Sequence, residues 1–194
     1  MVKDVLMDES QLRYCHEVLR FRKVLNLTSV QVLDVFYQTF IKPSVALESW
    51  IPHGSVVLDI GSGMGVPGIP LLIHRQDISG VLVERRKKRA EFIRHVVRQL
   101  KLNAKVYDAD INDLNPLGAT VCVARAVSQV RVLLDMCAKH INHGGRAVLP
   151  VPNEAVLPEV KGWRLQDDAQ QEGLQRVACY IKEEFEGGGV SREI

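Results

Sequence analysis

The chain has 194 residues, 46% of them hydrophobic, and a formal net charge of +2. This length and composition suit one domain with a substantial core, and they leave little room for the second domain that a dehydrogenase usually needs. The near-neutral charge excludes a globally basic nucleic-acid-binding protein, so any such signal must be local. The four cysteines lie far apart without CxxC spacing, which indicates neither a zinc site nor a disulfide framework.

Neither the first residues nor the apolar runs of the chain predict a targeting segment. The first residues lack the apolar core of a signal peptide, and no run approaches the length of a membrane span. Together with the scattered cysteines, this predicts a protein of the reducing cytoplasm with neither a metal nor a membrane as partner.

The first fifty residues have helical patterns. Apolar residues at helical spacing over 8–25 predict an amphipathic helix. The capping residues Thr28 and Ser29 predict a second helix to about Phe40, and Pro43 predicts a third short helix that ends near Trp50. This helical part either completes the core or also binds substrate, and the sequence leaves both roles open.

The most informative stretch is VVLDIGSGMGVPGIP, from Val56 to Pro70. A short apolar run that contains Asp59 comes first, a glycine-rich loop follows, and an apolar segment then begins a helix. This order is typical of the first unit of a doubly wound α/β sheet. Glycine suits the loop because a tight turn often needs a positive φ and because a cofactor must approach the backbone closely.

The glycines alone do not identify the cofactor. Gly63-x-Gly65-x-x-Gly68 also satisfies the dinucleotide fingerprint. Asp59 favours S-adenosylmethionine, because the α-amino group of that cofactor gains from a nearby carboxylate. A pyrophosphate at a helix N-terminus needs backbone N–H groups and no additional anion.

A second strand is predicted over residues 80–84 and ends in an acid. Glu84 lies nineteen residues after Gly65, where such folds place the carboxylate that binds the ribose hydroxyls. The alternative is an ordinary solvated glutamate.

Five consecutive cations, Arg85 to Arg89, open the next predicted helix, which extends to Lys101. The helix dipole disfavours cations at this end by ~0.3–1 kcal/mol each when they are exposed. The same turn lies on the strand carboxyl edge, where α/β proteins bind their ligands. Such a cluster indicates an anionic partner such as a phosphate backbone, and the alternative is a solvated surface.

Further strands are predicted over 104–107, 120–124 and 146–149, with a helix over 127–140 and a closing antiparallel pair at 163–166 and 176–181. Ala109 and Asp110 follow the third strand, where the adenine would lie. Asp110 is a candidate partner of the exocyclic amine, or a turn residue. Arg125 follows the fourth strand and is expected to face the reaction centre. Residues 186–194, with three consecutive glycines, are expected to be a disordered tail.

These segments resemble one known family, the bacterial small-subunit ribosomal RNA guanine-N7 methyltransferases (glucose-inhibited division protein B). The resemblance spans residues 26 to about 182. The matching segments are Asn26-Leu27-Thr28, the stretch from Asp59 to Pro70, Glu84 with the Arg-Lys-Lys-Arg-Ala-Glu-Phe behind it, Ala124-Arg125-Ala126-Val127, and Gly144-Gly145-Arg146. The glycine-rich segment with its internal prolines and the Arg-Ala-Val segment are specific to this family among methyltransferases.

The resemblance implies a class I S-adenosylmethionine-dependent methyltransferase, with a Rossmann-like, seven-stranded and mostly parallel sheet. It implies S-adenosylmethionine as the methyl donor, ribosomal RNA or the small ribosomal subunit as partner, and Arg125 as a catalytic residue near the donor and the target base. We expect residues 1–52 to be a helical cap on a methyltransferase core of residues 53–185.

Motif position and resemblance together define the predicted site. The predicted cofactor-binding residues are Asp59, Gly61, Ser62, Gly63, Gly65, Pro67, Glu84, Arg85, Ala109, Asp110 and Arg125. The predicted RNA-binding residues are Arg85, Arg86, Lys88 and Arg89. No general base is expected, because guanine N7 has an in-plane lone pair and carries no proton at neutral pH.

Two of the departures from the family pattern concern the substrate pocket. The His-x-x-Asp-Ser motif that precedes the first strand is replaced in the region of Ile41, Ser44 and Val45, and Val151-Pro152 stands where the family has Lys-Gly. These substitutions predict a more apolar substrate pocket. They leave two alternatives open: a diverged methyltransferase that acts on a small nitrogen heterocycle, and an inactive cofactor-binding relative.

Overall fold

The computed structural model describes residues 7–125, 129–169 and 176–184. Its centre is a seven-stranded sheet with the strand order β3-β2-β1-β4-β5-β7-β6. The strands are β1 Val56–Ile60, β2 Ser79–Val83, β3 Ala104–Tyr107, β4 Ala119–Val123, β5 Ile141–Pro150, β6 Trp163–Ala169 and β7 Val177–Lys182. The predicted seven-stranded, mostly parallel sheet is confirmed.

The first five strands are parallel, and β7 pairs antiparallel with both β5 and β6. The inner strands are continuous apolar runs because helices cover both faces of the sheet. The chain adds β2 and β3 on one side of β1, and β4 and β5 on the other. The crevice for a ligand therefore opens between the carboxyl ends of β1 and β4, where the strand order reverses.

Helices divide between the two faces. The helices of the described residues are α1 Glu9–Phe21, α2 Leu33–Phe36, α3 Lys42–Val45, α4 Gly68–His74, α5 Lys87–Gln99 and α6 Val130–Ala138. Side chains of α1, α4 and α5 pack in one buried cluster that includes Tyr14, Ile69 and Ile93. Side chains of α6 pack in a second cluster on the opposite face, which includes Leu133 and Leu134.

The helical segment before β1 begins later than the sequence predicts and then continues without a break. Residues 29–32 are not helical, and α2 begins at Leu33. A π-helix, Tyr37–Ile41, joins α2 to α3, and a 3₁₀ helix, Ala46–Trp50, follows. Pro43 therefore does not begin a separate helix. It lies in the first turn of α3, where its missing N–H is tolerated, so the chain continues without a break.

Four other expectations differ from the structure or lie outside it. Helix α5 begins at Lys87, two residues later than predicted. Strand β5 begins at Ile141 and includes the expected turn, with a register shift against β4. The predicted helix start at Val127 and the predicted tail 186–194 lie outside the described residues. Within the part of the chain that the structure describes, no helix has the length and apolarity needed to span a membrane.

Candidate cofactor site at the carboxyl edge of the sheet

The loop between β1 and α4 turns on its glycines. Gly61, Gly63 and Gly65 have φ values of 70°, 58° and 103°, a region that side chains with a Cβ rarely adopt. A Cβ on Gly65 would lie 2.5 Å from Cδ1 of Ile69, so this glycine is also required by packing against α4. The Tyr14 hydroxyl of α1 donates a hydrogen bond of 2.9 Å to the Met64 carbonyl. The N-terminal helix therefore supports the loop directly.

Asp59 lies beneath this loop and is fully buried. Its Oδ2 accepts a hydrogen bond of 3.0 Å from the Gly68 N–H at the start of α4, and its Oδ1 is buried with no partner in the described structure. The pKa of this carboxyl is raised to about 7, mainly by burial and to a smaller extent by the charge of Glu84, while the hydrogen bond from Gly68 acts to lower it. Asp59 thus has an unused acceptor beneath the cofactor loop.

Two predicted loop residues, Ser62 and Pro67, are buried within the fold. The Ser62 hydroxyl donates to the Asp59 carbonyl at 3.0 Å, and Ser62 is buried. Pro67, which follows a cis peptide bond, occupies the position immediately before α4 and is also buried. These residues shape the loop from inside the fold.

Glu84 follows β2 and joins the two loops of the site. Its Oε2 accepts from the Gly63 N–H at 2.9 Å, and its Oε1 accepts from the Arg86 N–H at 2.8 Å. The residue is 5% exposed, so it is not the solvated glutamate of the alternative interpretation. A carboxylate oxygen has two lone pairs, so each oxygen keeps acceptor capacity for a ligand hydroxyl.

A cavity of about 410 Å³ opens at this edge, a size within the range of small-molecule sites. Five of the predicted cofactor-binding residues line it: Gly61, Glu84, Arg85, Ala109 and Asp110. Its apolar walls, which the motif did not identify, are Ile60, Val83, Ile111 and Met136. The positions of the first three could be predicted, because each lies at the end of a strand or in the turn after one. Met136 comes from α6, and nothing in the sequence around it indicates a place in the cavity.

Asp110 is the turn residue that its sequence position allowed, and it also lines the cavity. Its Oδ1 accepts from the backbone N–H of Asn112 at 3.0 Å and from the Asn112 side chain at 2.9 Å, so it caps a short 3₁₀ turn. It also lines the cavity, and its Oδ2 remains available there. Neighbouring Asp108 instead pairs with Arg94, and this contact lowers the pKa of that carboxyl.

The basic cluster separates into two parts. Arg85, Arg86 and Lys88 are exposed, and the first two also line the cavity. Arg89 is half-buried, and its guanidinium donates to the backbone carbonyls of Leu25 and Asn26. Arg89 therefore ties α5 to the loop after α1, and it also lines the cavity together with the exposed Arg85 and Arg86.

Arg125 lies just after β4, beside the crevice, and does not line the cavity described above. Its guanidinium carbon is 4.5 Å from the centre of the Phe40 ring. Its Nη1 is buried without a hydrogen-bond partner, and burial lowers the pKa of the side chain.

Three of the four residues that suggested an apolar substrate pocket are buried, and the fourth, Val45, is half-buried. Ile41, Ser44 and Val151 are 0%, 2% and 2% exposed, so they belong to the protein interior. The departures from the family pattern at the buried positions therefore change the packing beside the sheet, and these side chains do not line an open pocket.

The described residues contain no group of three or more His, Cys, Asp or Glu side chains that could hold a metal ion. The site instead combines a glycine loop after β1, an acid after β2 and a second acid after β3, all at the carboxyl edge of the sheet. The cavity size and the unused acceptor of Asp59 fit a nucleoside that carries an amino-acid group. The fold and this site define a class I S-adenosylmethionine-dependent methyltransferase.

Comparison with known proteins gives the family. The family described as rRNA small subunit methyltransferase G (GidB) matches residues 7–155. The ribosomal RNA small subunit methyltransferase G of Xanthomonas oryzae pv. oryzae is 31% identical over 80% of this chain and 76% of its own length. The Rhodopirellula baltica protein of the same name is 37% identical over 64% of this chain and 53% of its own length. The chain belongs to this family.

Solved structures agree with the fold. An S-adenosylmethionine-dependent methyltransferase from Aquifex aeolicus superposes with a TM-score of 0.58, over 75% of this chain and 91% of that chain. The two sequences are 14% identical, so this similarity concerns the fold alone.

Proposed function

We propose that this protein transfers a methyl group from S-adenosylmethionine to guanine N7 of small-subunit ribosomal RNA, in the cytoplasm. Family membership supports the reaction class. One structural observation supports a polymeric anionic substrate: the exposed cations Arg85 and Arg86 also line the cavity. A phosphate backbone bound by these cations would lie beside a methyl donor in the cavity, because the same residues would contact both ligands.

The side chains that surround the cavity and the glycine loop would each hold one part of the cofactor. Glu84 accepts the ribose hydroxyls with the lone pairs that Gly63 and Arg86 leave free, and the second oxygen of Asp110 accepts from the exocyclic amine of adenine. The apolar side chains Ile111 and Met136, which line the cavity, would pack against the adenine ring. The buried Oδ1 of Asp59 attracts the α-ammonium of the methionine part from beneath the loop.

The chemistry requires positioning and little proton transfer. S-adenosylmethionine supplies an electrophilic methyl group when it is bound. Guanine N7 attacks with its own lone pair, so the protein must align N7 with the methyl group and exclude water. Arg125 stands beside the crevice with an unused donor, and it would orient the acceptor base. The base must be unstacked or single-stranded to enter.

The test is to express this chain in a bacterium that lacks its own guanine-N7 enzyme and to map N7-methylguanosine in the small-subunit ribosomal RNA. Restored methylation is expected. Glu84→Ala should abolish it, whereas Glu9→Ala, which removes an exposed carboxylate from α1, should not.

A purified assay with tritiated donor separates the alternatives. Ribosomal RNA and a small-molecule extract are offered in parallel. Methyl transfer only to the extract would favour the small heterocycle, and donor binding without turnover on either would favour the inactive relative. Either result would contradict the proposal.

A further inference from the structure

Phe40 contacts Arg125 across 85 residues of sequence, and no motif indicated this contact. Phe40 lies in the π-helix Tyr37–Ile41, and such segments often occur at functional sites. Its ring is half-buried and faces the guanidinium at 4.5 Å from its centre. This is a cation–π contact between the N-terminal helical segment and the carboxyl end of β4.

The Phe40 ring is itself held from below. The ring of Phe36, which is fully buried, lies 4.9 Å from it, and Tyr14 meets Phe36 edge-on at 6.4 Å. The Ser44 hydroxyl donates to the Phe40 carbonyl and so restrains the backbone of the π-helix. A series of aromatic contacts therefore runs from the core to the guanidinium of Arg125.

The guanidinium is oriented without a carboxylate. In the described ranges Arg125 forms no ion pair, and its buried Nη1 has no hydrogen-bond partner. A carboxylate partner would occupy the N–H donors in a bidentate pair. An aromatic ring orients the cation through its face and leaves all the in-plane donors unused.

We infer that Phe40 is a positioning residue of the methyl transfer, which fixes the Arg125 guanidinium by its ring and keeps the arginine donors available to the acceptor base. The inference rests on the proposed function. Arginine commonly donates to both O6 and N7 of guanine, but N7 must stay free when it is the nucleophile. A donor of Arg125 that contacts O6 alone would leave the N7 lone pair free to face the methyl group.

Steady-state kinetics on small ribosomal subunits from a strain without N7 methylation tests this role. Phe40→Leu should lower kcat about tenfold, the scale of one desolvated cation–π contact. The KM for the subunit should change little, because phosphate contacts dominate RNA affinity. Donor affinity, measured by calorimetry, should stay at the wild-type value. Phe40→Tyr should restore kcat, because it keeps the ring.

Two more variants separate positioning from simple packing. Phe40→Glu offers Arg125 an ion-pair partner, and its kcat should be as low as that of Phe40→Leu or lower because the donors become occupied. Phe21→Leu is the matched control, because Phe21 is a half-buried ring with Arg20 at 5.3 Å, away from the site. It should leave kcat unchanged.

The failure of this inference differs from the failure of the proposed function. If the wild-type protein transfers no methyl group to the subunit, the proposed function is wrong. The contact is then tested by NMR of the Arg125 side-chain Nε–H resonance, which is assigned by its loss in Arg125→Lys. Phe40→Leu should shift this resonance, and Phe21→Leu should not. An unshifted resonance would overturn the inference. So would an unchanged kcat in Phe40→Leu, or a loss of donor affinity equal to the loss of kcat.

Discussion

Replacing Asp59 with asparagine should remove a pH dependence of stability that runs opposite to that of most carboxylates. Asp59 is fully buried, and burial raises its pKa from 3.8 to about 7 in the folded protein. Between these two values the folded state holds a proton that the unfolded state has lost. The contribution of Asp59 to the free energy of unfolding therefore falls as the pH rises from about 4 through 7, and it levels off above that.

The magnitude follows from the same two pKa values. Each pKa unit corresponds to ~1.4 kcal/mol, so the full difference is ~4 kcal/mol, and the part between about pH 5 and pH 8 is ~2.5 kcal/mol. Asparagine does not titrate, and its carbonyl can still accept from the Gly68 N–H that Asp59 binds now. As the pH rises over this interval, the wild type should therefore lose ~2.5 kcal/mol of stability relative to Asp59→Asn.

Urea unfolding of the donor-free protein at several pH values measures this difference. Other titrating groups are common to both proteins and cancel, apart from groups that contact Asp59. Gly63→Ala changes the same loop without removing a carboxyl, and it is a control for loop damage. If the two unfolding profiles stay parallel between pH 5 and pH 8, Asp59 is already ionised at the lower pH, and the reasoning from burial is wrong.

Three further predictions follow from the site and the core. Glu84→Ala should weaken S-adenosylmethionine binding by ~1.5–3 kcal/mol, the scale for losing hydrogen bonds to a charged group; calorimetric titration checks this, and unchanged affinity with tight NADH binding would contradict the cofactor assignment. Charge reversal of Arg85 and Lys88 should weaken RNA binding and flatten its salt dependence, because fewer counterions are released; an unchanged slope would make the cluster an ordinary solvated surface. His140 is buried, which lowers its pKa, so stability should fall as the pH drops below about 6.5, where the unfolded chain takes up the proton. Unfolding of His140→Gln should lack this component, and identical profiles below pH 6.5 would refute it.

Much of the fold was accessible from local sequence patterns. The strands β1 to β4 are short apolar runs bounded by turn residues, and each forms near its predicted position because that pattern specifies burial on both faces. Gly61 to Gly65 and the acid Glu84 are likewise readable, because a positive φ and a carboxylate at a strand end are properties of single positions. The end of the helical cap at residue 52 stays a prediction.

The tertiary structure alone decided how the predicted side chains are used. Arg89 belongs to a run of five cations, yet it binds the carbonyls of Leu25 and Asn26. Phe40 meets Arg125, and Met136 reaches the cavity from α6. A local pattern specifies which way a residue faces, but its partner depends on which distant element packs there. These contacts join segments more than sixty residues apart in the sequence, or from opposite faces of the sheet, and they exist only once the chain has folded.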